Sequence, residues 1–193
     1  MQGAIYKTYV DFFKEYKKKK LRCREDICCF AQPTVEYLGH KLTSRGITKG
    51  KTADAVQEMP VPKGLAQLRS FLGATQFYSK FIPNLSDITG PLHKLTHKGE
   101  TWKWGTEQEK SVKKLKEMLS AENVLAHFNP DLDIGISCDA SESGLRAVLF
   151  HRYPDGSERP IANISKTLTS TQMKYGQIQK EALSIIFALK KYH

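Results

Sequence analysis

Two acidic side chains, Asp139 and Glu181, occupy positions from which carboxylates could bind a metal ion. Asp139 closes an alternating, strand-like run that begins at Ile134, and a short turn to Gly144 leads into a second such run. A rigid strand end of this kind can hold a carboxylate against a metal or a substrate. A surface Asp that closes a β-turn is the structural alternative.

The last part of the sequence contains an apolar stripe at helical spacing. Its members are Ile178, Ala182, Ile185, Ile186 and Leu189. The stripe predicts one helix from Thr169 to Lys191, opened by a capping box between Thr169 and Gln172. We expect this helix to pack onto the strand that carries Asp139. The side chains expected at that contact are Ile178, Ile185 and Leu189.

Glu181 lies on the margin of that stripe. A carboxylate at such a margin must reach water, pair with a cation or bind a metal, because burying it unpaired costs free energy. Pairing with Lys174 or Lys180 close by in the sequence is the alternative to a functional role.

Four short strings surround the two carboxylates. They are Asp139-Ala140-Ser141, Gly144-x-x-Ala147-Val148-Leu149, Arg159-Pro160-Ile161-Ala162 and Lys180-Glu181-Ala182-Leu183. In this order they resemble the first half of the ribonuclease H domain of gypsy-type LTR retrotransposon Pol polyproteins. The resemblance implies that Asp139 and Glu181 are the first two acidic positions of a catalytic site. In the family this site binds two Mg²⁺ ions and cleaves the RNA strand of an RNA–DNA hybrid.

Earlier segments resemble other parts of the same polyprotein. The run Val35–His40, which follows Cys28-Cys29-Phe30, predicts a β-hairpin. It resembles the end of the reverse transcriptase palm, where such a hairpin grips the primer strand. Residues 51–98 read as helices and resemble the thumb. The strings that carry this likeness are Leu68–Gly73, Lys80–Asn84 and Pro91–Leu95.

Aromatic and cationic side chains interleave in the helical segment. Aromatic rings with neighbouring cations can stack on bases and hold phosphates. By resemblance, these helices track the minor groove of a template–primer duplex. The residues expected to contact nucleic acid are His40, Arg69, Tyr78 and Lys80. Aromatic residues at helical spacing also form cores, which is the structural alternative.

The element pattern predicts an α+β fold, in which a helical thumb-like subdomain precedes a truncated ribonuclease H-like βββα unit. Four segments are expected. Residues 1–50 form the partly degenerate end of the palm, 51–98 the helical thumb, 99–129 a connection, and 130–193 the first half of the ribonuclease H-like domain.

Thirty Lys and Arg residues against twenty Asp and Glu give a net charge of +10 and a pI of about 9.4. This balance favours a phosphate-bearing partner. By resemblance the partner is an RNA–DNA hybrid or a template–primer duplex, together with the remainder of a Pol polyprotein. A membrane partner is disfavoured because we find neither a long apolar run nor a signal peptide, and we expect a soluble, intracellular protein.

The four cysteines are expected to be reduced thiols, because no secretory signal accompanies them. A zinc site from Cys23, Cys28, His93 and His97 is a weaker alternative, since the cysteine spacing is not that of a Cys-x-x-Cys site.

Two departures from the family bear on catalysis. The later acidic residues of the family site would follow His193, and the polymerase carboxylates would lie upstream. Arg146 stands where the family has Gly, so it could pair with Asp139 and compete with Mg²⁺. We therefore expect weak magnesium binding and no cleavage by this chain alone. Two further possibilities stay open: a non-catalytic nucleic-acid-binding remnant, and a connection-like domain that keeps the fold without catalysis.

Overall fold

The computed structural model describes residues 2–20, 22, 24 and 32–193. The chain divides into two compact units, Met1–Pro33 and Thr34–His193. The first unit contains helix α1, Gln2–Lys18, whose last turn carries Lys17 and Lys18 and so complements the helix dipole. Two of the cysteines in the zinc alternative, Cys23 and Cys28, lie outside the described residues, as does the string Cys28-Cys29-Phe30.

The second unit combines two antiparallel sheets with helices. Its strands are β1 Thr34–Tyr37, β2 His40–Thr43, β3 Gly46–Lys49, β4 Asp133–Ala140, β5 Gly144–Arg152 and β6 Glu158–Thr167; its helices are α2 Thr52–Glu58, α3 Leu65–Phe77, α4 Leu85–Lys94, α5 Thr106–Ser120, α6 Ser170–Met173 and α7 Gln177–Tyr192. A 3₁₀ turn, Ser79–Phe81, joins α3 to α4. This order confirms the predicted α+β class, with a helical part followed by a βββα unit.

The predicted hairpin forms as a three-stranded sheet in the order β1-β2-β3. Leu38 and Gly39 make its first turn with φ of 47° and 72°, the left-handed geometry that favours Gly in tight hairpins. A Cβ at Gly39 would lie 3.1 Å from the ring of Phe77, so the turn packs closely against the end of α3. β3 is tied to the rest of the unit by two backbone hydrogen bonds between Ile47 and Leu125.

Helices α2 to α5 bury the larger apolar core. Its fully buried side chains include Leu68, Phe71, Tyr78, Phe81, Leu92 and Leu115. The ammonium group of Lys49 donates to the carbonyls of Met118 and Ala121, and so satisfies backbone groups left free at the end of α5. Burial lowers the pKa of Lys49, which is consistent with its place under this helix end.

The second sheet has the order β4-β5-β6, and α7 packs on β4 and β5. Two expectations about the last helical segment are wrong. The predicted single helix is interrupted, because Gly176 starts α7 anew and donates its N–H to the side chain of Gln179 at 3.0 Å. The capping box of Thr169 and Gln172 is confirmed, but it opens the four-residue helix α6.

The predicted buried face of α7 is also wrong. Lys180, Ser184 and Ala188 are the buried residues of this helix, and Leu183 and Phe187 pack on the small core of Ala140, Leu145 and Leu168. The stripe residues are exposed: Ile178 by 84%, Ile185 by 51% and Leu189 by 55%. The face of α7 that carries Leu183, Ser184 and Phe187 therefore covers the sheet, and the isoleucine stripe lies outside that contact.

Helix α4 is joined to the second sheet by polar contacts. Asp87 Oδ1 accepts hydrogen bonds from the hydroxyls of Ser141 at 3.1 Å and Ser143 at 3.2 Å. A Cβ at Gly144 would lie 2.8 Å from the same oxygen, so a larger residue there would displace the Asp87 carboxylate. No helix in the described part of the chain is long and apolar enough to cross a membrane.

Candidate functional site

Asp139 is engaged by Arg146 in an ion pair. The Nε and Nη2 groups of Arg146 both donate to Asp139 Oδ2, while Oδ1 accepts from the backbone N–H of Ala140 at 2.8 Å. The two side chains are 48% and 38% exposed, with Asp139 the more accessible. The pairing expected from the sequence is therefore confirmed.

The register of the hairpin explains why these two residues meet. Asp139 on β4 is directly opposite Arg146 on β5, and directly opposed residues of antiparallel strands project to the same face. The turn after Ala140 is held by Ser141, whose N–H donates to Gly144 O at 2.8 Å and whose hydroxyl accepts from Gly144 N–H at 2.9 Å. A hairpin with this turn has one register, so the ion pair is built into the backbone pairing.

Glu181 reaches the same site from α7. It lines a cleft of about 540 Å³ together with Asp139, and the other lining residues are Ile136, Cys138, Ser184, Ile185 and Leu189. The structure thus brings the two predicted carboxylates to one cleft. Lys180, the cation proposed as a structural partner of Glu181, directs its ammonium instead to the carbonyl of Glu142 at 3.3 Å.

Gln177 positions Glu181, a role that our sequence analysis missed. Its Nε2 donates to Glu181 Oε1 at 3.2 Å and to the carbonyl of Ala140 at 3.0 Å. Gln177 thereby links α7 to the end of the strand that carries Asp139. The spacing of four residues between Gln177 and Glu181 is a sequence signal for contact on one helix face, but the bond to Ala140 is a tertiary contact.

These residues do not fit the two-ion magnesium site that the resemblance implies. Magnesium requires oxygen ligands in near-octahedral geometry, and two ions need several carboxylates to hold them. Within residues 2–20, 22, 24 and 32–193 there is no group of three or more His, Cys, Asp or Glu side chains that could hold a metal. Arg146 moreover donates two hydrogen bonds to Asp139 Oδ2.

A groove of about 360 Å³ adjoins the same ion pair. Asp139 and Arg146 both line it, with Ser137 on β4, Asn163 on β6 and Asn84 before α4. Asn163 is fixed there by a hydrogen bond from its Nδ2 to the carbonyl of Lys80 at 2.8 Å. The ion pair therefore borders both the acidic cleft and a more polar groove at the edge of the helical part.

Three of the residues predicted to contact nucleic acid, His40, Tyr78 and Lys80, lie close together where the hairpin meets the end of α3. The ring of His40 lies 6.1 Å from that of Tyr78 and stacks on Phe77 at 5.1 Å, with 10° between the planes. Lys80 Nζ lies 5.2 Å from the centre of the Phe81 ring, and its charge acts on His40. We call His40, Phe77 and Lys80 the hairpin–α3 surface. The fourth, Arg69, is exposed on α3 about 12 Å before Phe77.

Tyr78 is a core residue in the structure, with only 1% of its surface exposed. Its ring has no free face to offer a base. The neighbouring Phe77 is 50% exposed and takes the surface position that we had expected for Tyr78. Successive helical residues point about 100° apart, so the sequence string alone does not reveal which of two adjacent rings is outside.

We expect the free energy of unfolding to depend on pH through His40, which belongs to the hairpin–α3 surface. Burial, and then the charge of Lys80, hold the pKa of His40 below its ordinary value of 6.5. The unfolded chain therefore binds a proton at His40 more readily, and the free energy of unfolding falls as the pH drops below about 6.5. We expect His40→Asn to reduce this loss in urea unfolding at a series of pH values. His193→Asn is the control, and an unchanged pH dependence in His40→Asn would contradict the prediction.

Comparison with known proteins agrees with this fold. Residues 104–193 match the family described as the RNase H-like domain found in reverse transcriptase. The chain is 32% identical over 183 residues to the Transposon Tf2-3 polyprotein of Schizosaccharomyces pombe, and the Transposon Tf2-4 polyprotein of the same organism matches equally. Each match covers 94% of this chain but only 14% of the relative, so the chain spans a small part of these polyproteins.

Two solved structures of a foamy viral protease-reverse transcriptase are also similar. The one in complex with RNA/DNA hybrid superposes with a TM-score of 0.70 at 27% identity, over 83% of this chain and 22% of that chain. The dRH form in complex with dsDNA superposes with a TM-score of 0.72 at 26% identity, over 83% of this chain and 28% of that chain. Taken with the motifs and the fold, these matches show that the chain belongs to the gypsy-type LTR retrotransposon Pol polyproteins, in the region of the reverse transcriptase that contains the ribonuclease H-like domain.

Proposed function

We propose that this region binds a nucleic-acid duplex, either an RNA–DNA hybrid or a template–primer, for a reverse-transcribing polyprotein, and that it does not cleave RNA by itself. The observation that carries the proposal is the hairpin–α3 surface, where the exposed ring of Phe77 stacks on His40 with Lys80 beside them. An aromatic platform with an adjacent cation suits nucleotides and their phosphates. This role would place the chain inside the cell.

The charge and the relatives support the same partner. A net charge of +10 attracts polyanions at long range, and phosphate contacts dominate duplex affinity. The two similar foamy viral structures were solved with RNA/DNA hybrid and with dsDNA. Arg69 is exposed on the same helix as Phe77 and would extend the contact along the duplex.

The family activity is metal-dependent hydrolysis of the RNA strand, and we do not assign it to this chain alone. Its two carboxylates, one of them paired with Arg146, do not fit a two-ion site. The proposal therefore contains no hydrolytic step. The Asp139–Arg146 pair also favours the second candidate, a connection-like domain or non-catalytic remnant that keeps the ribonuclease H-like fold and only binds the duplex.

Duplex binding is tested by fluorescence anisotropy with a labelled RNA–DNA hybrid at several salt concentrations. We expect the logarithm of the affinity to fall linearly with the logarithm of the salt concentration, with a slope of about 0.9 per phosphate contact. Lys80→Ala should reduce that slope by about 0.9, because it removes one contact. Lys190→Ala on α7 removes the same charge elsewhere and should leave the slope unchanged. Absence of binding at low salt, or a salt-independent affinity, would overturn the proposal.

A further inference from the structure

The Asp139–Arg146 pair leaves part of the arginine free. A guanidinium group has five N–H donors, and the two hydrogen bonds to Asp139 use two of them. The Arg146 side chain remains 38% exposed and lines the polar groove beside Ser137 and Asn163. Three donors are thus available to a second acceptor.

The charges around the pair indicate what that acceptor is. Asp139 and Glu181 bring two negative charges to the cleft, and Arg146, which lines the adjoining groove, balances the charge of Asp139. A duplex that enters the site adds phosphates, so it can approach these carboxylates only when a cation lies between. Arginine suits this position, because its fork of donors matches phosphate oxygens and it keeps its charge at every physiological pH.

We propose that Arg146 is the built-in cation of this site, which bridges Asp139 to a phosphate of the duplex and makes binding here independent of divalent metal. The inference rests on the proposed duplex-binding function and names the residue that replaces the metal expected from the family. The inference follows because the described residues around Asp139 do not fit a two-ion metal site, while Arg146 already binds the Asp139 carboxylate.

Removal of Arg146 should convert the site to a metal-requiring one. In Arg146→Gly the two carboxylates face the phosphates without a cation, so affinity should fall about tenfold in EDTA, the loss typical of one charge-assisted contact. Mg²⁺ should restore most of this affinity, since the freed Asp139 and Glu181 can then share one ion. The unchanged chain should bind equally well in EDTA and in Mg²⁺ at matched ionic strength.

The experiment measures hybrid affinity by anisotropy in EDTA and in Mg²⁺ for the unchanged chain and three variants. Arg146→Lys keeps the charge but loses the fork of donors, so in EDTA it should lose less affinity than Arg146→Gly and should not require Mg²⁺. Arg152→Gly is the matched control, because Arg152 lies on the same strand and pairs with Glu158 at 2.9 Å away from the cleft. Its affinity should not depend on Mg²⁺. Thermal melting confirms that each variant is folded, and Arg146→Gln replaces the Gly variant if that one is unfolded.

A second readout needs no duplex. Mn²⁺ binding followed by electron paramagnetic resonance should be stronger in Arg146→Gly than in the unchanged chain, and should be lost again when Asp139→Asn is added. Equal hybrid affinity of the unchanged chain and the folded Arg146→Gly or Arg146→Gln variant in EDTA would overturn the inference, as would a requirement of the unchanged chain for Mg²⁺. Failure of the unchanged chain to bind any duplex at low salt would instead defeat the proposed function.

Discussion

The RNA strand of a labelled RNA–DNA hybrid should remain intact when it is incubated with this chain in Mg²⁺ or Mn²⁺. Hydrolysis by two metal ions needs carboxylates that fix both ions on either side of the scissile phosphate. The cleft offers Asp139 and Glu181, and Arg146 already occupies one oxygen of Asp139. Product is measured on a denaturing gel over a time course, against a sample without protein.

The same assay separates the effect of the arginine from the shortage of ligands. We expect Arg146→Gly to remain inactive, because two carboxylates can share one ion but leave the second without ligands. Cleavage by the unchanged chain that disappears in Asp139→Asn would contradict this prediction. Cleavage that persists in Asp139→Asn would point to a contaminating nuclease, and Glu181→Gln provides the second check.

Leu145→Ala should lower the free energy of unfolding by about 2–5 kcal/mol. Leu145 is 2% exposed and lies at the centre of the small core that α7 forms with the second sheet. Removal of its side chain leaves a cavity that the sheet and the helix cannot readily fill. The change is measured by urea unfolding, where the midpoint should shift while the slope stays constant.

Ile185→Ala on α7 is the matched comparison. The sequence pattern predicts that Ile185 is a core residue, whereas the structure leaves it 51% exposed. We expect this variant to lose less than about 1 kcal/mol, as is usual for side chains that remain largely in water. If Ile185→Ala cost as much as Leu145→Ala, the helix would pack through its apolar stripe as the sequence alone suggests.

The sequence by itself determined most of the elements and the family. Alternation at period two marks the strands around Asp139, and glycines mark their turns, because these signals act within a few residues. The hairpin at Val35–His40, the helices of residues 51–98 and the third strand near Arg159 are all present. The two carboxylates that the family strings single out, Asp139 and Glu181, line one cleft.

Tertiary structure decided which face of each helix is buried. The isoleucine stripe on α7 is an apolar face, yet it stays exposed, and the face with Leu183, Ser184 and Phe187 packs on the sheet. In the same way Tyr78 is buried and Phe77 is exposed, although the two are adjacent. A hydrophobic pattern shows how apolar a helix face is, but it does not show which face the neighbouring elements cover.

At the Asp139–Glu181 cleft, too, the sequence identifies residues whose contacts only the tertiary structure sets. Arg146 could be identified from the sequence as a cation close to Asp139, but only the register of β4 with β5 sets the two side by side on one face. The bond from Gln177 to Ala140, which holds Glu181 near that pair, joins residues 37 positions apart. Contacts of this range arise from the packing of a helix on a sheet, and a local pattern does not contain them because neither segment encodes the position of the other.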